Sequence, residues 1–202
     1  ELGTLGAYRI QQNYFKLHAC CLYNHPVLDG VQSLLGKERF VADDVESIKV
    51  EAPGLATIMT DPEPANMLAA KFSLPYAVAT AVVHDSTDIT AFYPDRLQDP
   101  QTLDLSHRVD IVTDPEMDLR RYDYPAAKVS ISLKDGRIIT EDVTAHHGDT
   151  QNPASREELV GKFNFLVEDV LGEDGSARVV ETVSHLDALG NVRELTRLLQ
   201  RG

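Results

Sequence analysis

The chain has 202 residues, with 19 Lys and Arg against 32 Asp and Glu, so its net charge is −13 with histidine neutral. A hydrophobic fraction of 43% is too high for a disordered chain and is sufficient for a sizeable core. The acidic balance argues against a nucleic-acid partner and against an anionic membrane surface, since both require basic residues. At first sight it also argues against a small anionic ligand.

The chain ends and the cysteines indicate a compartment. Cys20 and Cys21 are neighbours in sequence, and neighbouring cysteines rarely form a disulfide with each other. We therefore predict free thiols and a reducing, cytoplasmic environment. No apolar run approaches the roughly 20 residues that span a bilayer, and the chain begins without Met or a signal peptide. We expect a piece of a longer protein.

The first half of the chain alternates between extended and helical patterns. Residues 8–17 are rich in aromatic and apolar residues and could be extended. A helix is predicted from His25, with Asn24 as its cap and Gly36 at the C′ position. Residues 46–52 alternate between polar and apolar, as in a half-buried strand.

The clearest local pattern lies in the middle of the chain. The Ala-rich residues 64–84 predict a helix that Pro75 must kink or interrupt. Residues 107–113 alternate as a strand. Residues 127–143 predict a β-hairpin, with an Asp-Gly pair in a primed turn.

The last quarter of the chain is helical in pattern. Ser155 and Glu158 form a capping box, and an apolar stripe follows as far as Gly172. Two more helical stretches are predicted at 176–188 and 191–200. The fold class is therefore α+β, with mixed elements first and helices last.

The acidic residues are unevenly spread. None occurs in residues 2–28, the first acid-free stretch, or in residues 64–84, the second acid-free stretch. If folding brings the two together, the site would attract an anion despite the total charge, because distant charges are screened within about 10 Å. The alternative is that both stretches are simply buried core, since buried segments rarely carry acids.

Several segments resemble the MmgE/PrpD family, in the family's order along the chain. The similar segments are Lys16 to Pro26, Ala70 to Ala79, His107 to Asp118, the Lys-Asp-Gly hairpin, and His147 to Leu159. The second of these is the most recognisable, and together they cover nearly the whole chain. The family includes 2-methylcitrate dehydratase, cis-aconitate decarboxylase and iminodisuccinate epimerase.

The resemblance implies an architecture as well as a function. Proteins of this family are about twice as long, with a large helical domain and a smaller α/β lid. Residues 1–148 would be the lid, a small mixed or antiparallel sheet flanked by helices. Residues 149–202 would be helices that return to the helical domain, whose N-terminal half is absent from this chain. The resemblance also implies a homodimer.

The implied reaction is that of a hydro-lyase that uses no cofactor and no metal ion. Its substrate would be a small di- or tricarboxylate such as 2-methylcitrate. An epimerase or a decarboxylase of the same family is the first alternative. A carboxylate-binding or dimerisation domain that catalyses nothing when isolated is the second.

The resemblance also implies candidate site residues. Such chemistry needs cations or donors for the carboxylates and a general acid and base. Lys16 is the candidate catalytic residue, as a cation or an acid/base. The candidate substrate-binding residues are His18, His25, Lys71, Ser73 and Tyr76.

Each candidate has a structural alternative. Lys16 could be an ordinary surface lysine, His25 a helix-capping histidine, and the segment around Lys71 a packing motif. Ala19 stands where the family usually has proline, and His18 stands where it usually has an aromatic residue. Leu22 stands where many members carry Arg, which suggests a different or smaller acid.

Metal sites are disfavoured. A zinc cluster of His18, Cys20, Cys21 and His25 would need adjacent cysteines on one tetrahedral ion. The histidines and aspartate in residues 146–149 are better explained as a polar loop before a helix.

Overall fold

The chain is described by a computed structural model, which covers residues 8–119 and 125–200. It divides into two units, Glu1–Pro153 and Ala154–Gly202. The first contains a mixed sheet with flanking helices, and the second is helical. The predicted α+β class is confirmed. The predicted family-domain boundary after residue 148 stays a prediction.

Within the described residues the sheet has four strands in the order β2-β1-β3-β4. The first pair, β1 with β2, is parallel, and the other neighbours are antiparallel. Their bounds are β1 Val45–Ala52, β2 Val109–Thr113, β3 Ala127–Leu133 and β4 Ile138–Val143. Strands β1, β3 and β4 match the predicted ones, and β2 begins slightly later than predicted.

Strand β3 shows why the sheet has one buried face. Its burial alternates strictly along Ala127–Leu133, with every second side chain in the core, as the period of two in a strand requires. Helix α1, His25–Lys37, packs on that face. A Cβ added to Gly30 would lie 3.0 Å from Val129 Cγ2, so the small residue permits the close approach of helix and sheet.

Four further helices of this unit are α2 Met67–Lys71, α3 Leu74–His84, α4 Pro100–Ser106 and α5 Pro115–Leu119. The predicted interruption of the long helix is confirmed, but it falls at residues 72–73. Pro75 lies in the first turn of α3, where its missing N–H costs nothing. Ser73 caps α3 by accepting a hydrogen bond from the Tyr76 N–H.

Three local predictions do not hold in full. Residues 8–17 are extended only in part: Tyr8 and Asn13 have extended backbone, and a short 3₁₀ turn, Arg9–Gln12, lies between them. Asn24 precedes α1 without a side-chain cap. Gly36 lies inside α1, which continues to Lys37 and leaves the chain extended at the next residue. Sheet contact therefore overrides the glycine stop signal.

The hairpin is confirmed, but its turn is not of the primed type. Gly136 has φ +90, whereas Asp135 has no positive φ. The Leu133 N–H donates to the Arg137 carbonyl and the Gly136 N–H to the Leu133 carbonyl. This is the three-residue loop in which a type I turn is followed by a left-handed glycine.

The helical unit begins with the predicted capping box: the Ser155 hydroxyl and the Glu158 carboxylate each accept from the other residue's backbone N–H. Helix α6, Arg156–Ser184, is broken at Gly172 (φ 64, ψ 175), where the predicted stripe ends. A short turn and α7, Arg193–Leu198, follow. Every helix among the described residues is too short or too polar to cross a membrane.

Candidate functional site

The structure brings the two acid-free stretches together. The Cys21 N–H donates to the Lys71 carbonyl at 2.9 Å, just where α2 ends. The Ala19 N–H donates to the Thr87 carbonyl at 3.0 Å, in the loop after α3. The segment that precedes α1 therefore runs along the ends of α2 and α3.

Two lysines flank this junction without an acidic partner. Lys16 is exposed, and its Nζ lies 3.5 Å from the carbonyl oxygen of Cys20. Lys71 is partly buried at the C-terminal end of α2. Among the described residues no carboxylate pairs with either ammonium. Both charges are free to attract an anion.

His18 is buried and both of its ring nitrogens are occupied. Nδ1 lies 2.6 Å from the Thr87 hydroxyl, and Nε2 lies 2.9 Å from Oδ1 of Asp29. The side chain is only 4% exposed. In this arrangement His18 holds the junction together and has no ring nitrogen left for a substrate.

Three histidines and a tyrosine form a continuous stack beside the junction. The rings of His18 and His25 meet edge to face with centroids 5.0 Å apart, and those of His25 and His146 at 5.5 Å. Tyr14 contacts His146 at 5.4 Å in the same manner. His146 comes from the loop after β4, so two distant parts of the chain, residues 14–25 and this loop, supply the rings.

The middle of this histidine stack contains buried polar atoms without ordinary partners. Among the described residues, no group makes a hydrogen bond of normal geometry with either ring nitrogen of His25 or His146, or with either side-chain polar atom of Asn24. All three residues are fully buried. Such atoms cost about 1–3 kcal/mol each when they are left unpaired, and buried polar atoms of this kind call for an explanation by a bound water or ion or by function.

Burial keeps these two imidazoles neutral. Desolvation, reinforced by the charges of His18, His146 and Lys16, lowers the pKa of His25 to about 2, although the backbone of Cys20 opposes the shift. Desolvation also lowers the pKa of His146, against the opposing effect of Asp149 and Asp29. A neutral imidazole offers one donor and one acceptor and no charge.

The structure places Ser73 and Tyr76 in the core. Ser73 is 1% exposed; its hydroxyl accepts from the Tyr76 N–H and donates to the Asp61 carbonyl. Tyr76 is fully buried, donates to the Ala91 carbonyl at 2.9 Å and packs against Phe92. Burial raises the pKa of Tyr76 to about 12. Both hydroxyls are therefore committed to the protein's own backbone.

Sequence reasoning missed His146, which looked like part of a polar loop. The loop is held close to the first acid-free stretch: the Phe15 N–H donates to the Gly148 carbonyl at 2.9 Å. Gly148 has φ +96, and a Cβ there would lie 2.3 Å from the Phe15 carbonyl oxygen. A glycine at a close backbone approach is the one signal that could have indicated this packing.

The two cysteines and the possible metal ligands bear on the chemistry that is open to this part of the molecule. Cys20 and Cys21 are both free thiols, and burial raises the pKa of Cys20 to about 12. Such a buried thiol is a poor nucleophile. Within the parts of the chain that the structure describes, no three His, Cys, Asp or Glu side chains are grouped to hold a metal ion.

An open depression of about 450 Å³ lies on the other side of Asp29. Its lining includes Asp29, Glu141 and Asp142 together with His147. Three carboxylates make it a poor place for an anionic ligand, since like charges repel at contact range. The junction of the acid-free stretches is the better candidate.

The chain is similar to proteins of one known family. Residues 18–188 match the model of the MmgE/PrpD C-terminal domain. The chain is 28% identical to a cis-aconitate decarboxylase of Mus musculus over 192 residues, which cover 92% of the chain and 39% of that protein. Enzymes of the same name from Aspergillus terreus and Homo sapiens are each 25% identical over 91% and 92% of the chain, and 40% and 39% of their own lengths. The chain thus spans about two fifths of the relatives it matches.

Proposed function

Because the chain belongs to the MmgE/PrpD family, we propose that it forms part of a lyase acting on a small di- or tricarboxylate. The observation that carries this proposal is the meeting of the two acid-free stretches at the Cys21–Lys71 hydrogen bond. It brings the backbone of Lys71 next to the segment that carries Lys16 and the buried His25, within a chain of net charge −13.

We propose decarboxylation of a cis-aconitate-like acid as the reaction. The relatives at 25–28% identity carry the name cis-aconitate decarboxylase. Loss of CO₂ breaks a carbon–carbon bond and leaves its electron pair on the neighbouring carbon, which must then take up a proton. A nearby cation stabilises the negative charge as it develops, and a positioned acid supplies the proton. Dehydration of a 2-methylcitrate-like acid also needs a cation that stabilises the developing negative charge. We propose this dehydration as the alternative reaction.

The residues divide into two roles under this proposal. Lys16 is the catalytic candidate because its ammonium is exposed and unpaired. Lys71 would hold a substrate carboxylate, and neutral His25 would donate a hydrogen bond without adding charge. His18, Ser73 and Tyr76 would contribute through the placement of the junction, since their own polar atoms bond to the protein.

A further portion of protein would complete the active site. Members of the family are longer than this chain, and we propose that their preceding helical portion supplies the missing acid–base groups. The helical unit has exposed apolar side chains that would suit such packing; they include Phe165, Leu166, Val170 and Val183. The homodimer that the resemblance implies stays a prediction.

An activity assay on the assembled enzyme tests the function. The chain joined to the preceding portion of its protein is incubated with cis-aconitate and, separately, with 2-methylcitrate, and both CO₂ release and loss of water are followed. We expect CO₂ from cis-aconitate, with at least a hundredfold loss in Lys16→Ala. The matched control is Lys134→Ala, which removes an exposed lysine from the hairpin turn. Equal activity of the two variants would exclude Lys16, and no turnover of either acid would exclude the proposed reaction class.

A further inference from the structure

The first acidic residue after the first acid-free stretch is Asp29, and its carboxylate turns back toward the histidine stack. It lies on α1, one turn after His25. Its Oδ1 is 2.9 Å from Nε2 of His18, and its Oδ2 accepts the backbone N–H of His147 at 2.6 Å. One carboxylate thus joins the segment before α1, helix α1 itself and the loop after β4.

These two bonds hold the two histidines that contact His25 in the stack. His18 is bonded to Asp29 directly. His146, which also contacts Tyr14, is the chain neighbour of His147, whose backbone Asp29 binds. His25 lies between them and has no hydrogen bond of normal geometry on its own ring. The rings of His18 and His146 both contact it edge to face.

We propose that Asp29 is the positioning residue of this site: by clamping His18 and the 146–149 loop, it fixes the orientation of His25. This inference about Asp29 depends on the proposed function in one respect, namely that His25 contacts the substrate. Mispositioning a group by about 1 Å can cost on the order of a hundredfold in rate, so a clamp on both neighbours has a direct catalytic consequence.

The same geometry assigns the ring hydrogen of His18. An ionised carboxylate can only accept, so the hydrogen of the pair must lie on Nε2 of His18. The Thr87 hydroxyl can then donate to Nδ1. Nε2 of Gln32, about one turn further along α1, lies 3.4 Å from the same Thr87 hydroxyl. Asp29 thereby fixes both the orientation and the tautomer of His18.

Asp29→Asn tests the clamp because an amide has one oxygen where a carboxylate has two. In the variant one oxygen can still accept the His147 N–H, but the NH₂ group then faces Nε2 of His18, which can accept it only by moving its own hydrogen to Nδ1. Asp29→Glu keeps both acceptor oxygens and is the rescue variant. Gln32→Ala is the matched control, since it changes an exposed residue of the same helix that contacts the same Thr87.

The first readout is the ring-nitrogen NMR spectrum of the wild-type chain and the three variants. We expect Nε2 of His18 to carry the hydrogen in the wild type. In Asp29→Asn we expect the His18 tautomer and the ring signals of His25 and His146 to change, with recovery in Asp29→Glu. Signals that stay as in the wild type, or that change equally in Gln32→Ala, would overturn the proposal. If Asp29→Asn does not fold, ring signals in Asp29→Glu that differ from the wild type would overturn it as well.

The second readout is turnover of cis-aconitate by the assembled enzyme. We expect kcat to fall about tenfold to a hundredfold in Asp29→Asn, while KM stays within about threefold because both lysines remain. An unchanged kcat beside an altered ring spectrum would overturn the link to His25. Absence of turnover in the wild type would count against the proposed function alone, since the NMR readout is independent of it.

Discussion

The two acid-free stretches look alike in sequence but differ in the structure. In the second stretch, α3 is a core helix: the Ser73 and Tyr76 hydroxyls are bonded to backbone groups, while the buried Thr80 hydroxyl is without an ordinary partner among the described residues. In the first stretch, Asn24 and His25 are just as deeply buried, yet their side-chain polar atoms have no ordinary partner.

Under the proposed function, this difference in hydrogen bonding gives the two stretches different reasons for lacking acidic residues, one structural and one functional. Carboxylates are absent from α3 because they are costly to bury in a core. They are absent around His25 where two unpaired lysines and neutral imidazoles would meet an anion. Under the proposed function the same compositional signal has two physical origins, and the first stretch holds the larger group of buried polar atoms without ordinary partners among the described residues. The predictions below test that distinction in order of expected effect.

The largest effect should come from the core of the second stretch. We expect Tyr76→Ala to lower the free energy of unfolding by about 3–5 kcal/mol, because it empties a fully buried aromatic site. Tyr76→Phe should cost about 1–3 kcal/mol, since it leaves the Ala91 carbonyl unpaired. Urea unfolding measures both. A loss below 1 kcal/mol in Tyr76→Ala would contradict the core assignment.

The next effect concerns the loop that carries His146. Gly148→Ala should destabilise the chain by about 1–3 kcal/mol, because φ is +96 and the new Cβ would meet the Phe15 carbonyl. Gly36→Ala is the control, since nothing lies within 4 Å of its Cβ position in α1. That control should stabilise the helix by up to about 1 kcal/mol. Equal effects of the two changes would argue against the close approach.

The buried histidines predict how stability depends on pH. The pKa of His25 is about 2 in the folded chain against about 6.5 unfolded, so the unfolded state binds a proton that the folded state does not. Stability from this group is complete above pH 6.5 and is lost below it, by about 1.4 kcal/mol per pH unit. His146, with its lowered pKa, adds to the same trend.

Urea unfolding between pH 7 and pH 5 measures that slope. His25→Gln should reduce the slope by the contribution of about one proton, which is about 1.4 kcal/mol per pH unit. A slope in the His25 variant equal to that of the wild type would show that His25 is not buried in its neutral form.

The smallest effect on stability should come from Lys71. Its ammonium has no partner among the described residues, so Lys71→Ala should change the free energy of unfolding by no more than about 0.5 kcal/mol. The same variant should weaken binding of cis-aconitate several-fold, which calorimetry measures. A stability loss above 1 kcal/mol with unchanged binding would make Lys71 a structural residue.

Much of the fold could be predicted because it depends on local patterns. Strands β1 and β3 follow from alternation, and α6 starts at the capping box. The type of the hairpin turn could not be predicted, because an Asp-Gly pair fits both turn types and the choice depends on backbone φ at Asp135. The stop of α1 was wrong because packing on the sheet outweighs the propensity of Gly36.

The candidate site could be predicted only in part, because its contacts join segments that are distant in the sequence. The positions of Lys16 and His25 came from a family resemblance and from the distribution of acids. His146 and Asp29 could not be recognised, because their bonds join segments more than a hundred residues apart in the chain. No local pattern in Ala-His-His-Gly-Asp shows that one histidine is fully buried and the next is not.

The central claim is that the junction of the two acid-free stretches binds a small carboxylate in spite of the chain's charge. Backbone amide NMR of the chain titrated with millimolar cis-aconitate tests it most directly. We predict saturable shifts at residues 16–25 and 71–73 that Lys16→Ala abolishes and Lys134→Ala preserves. Shifts confined to the acidic depression around residues 141–147, or no saturable shifts at all, would contradict the account.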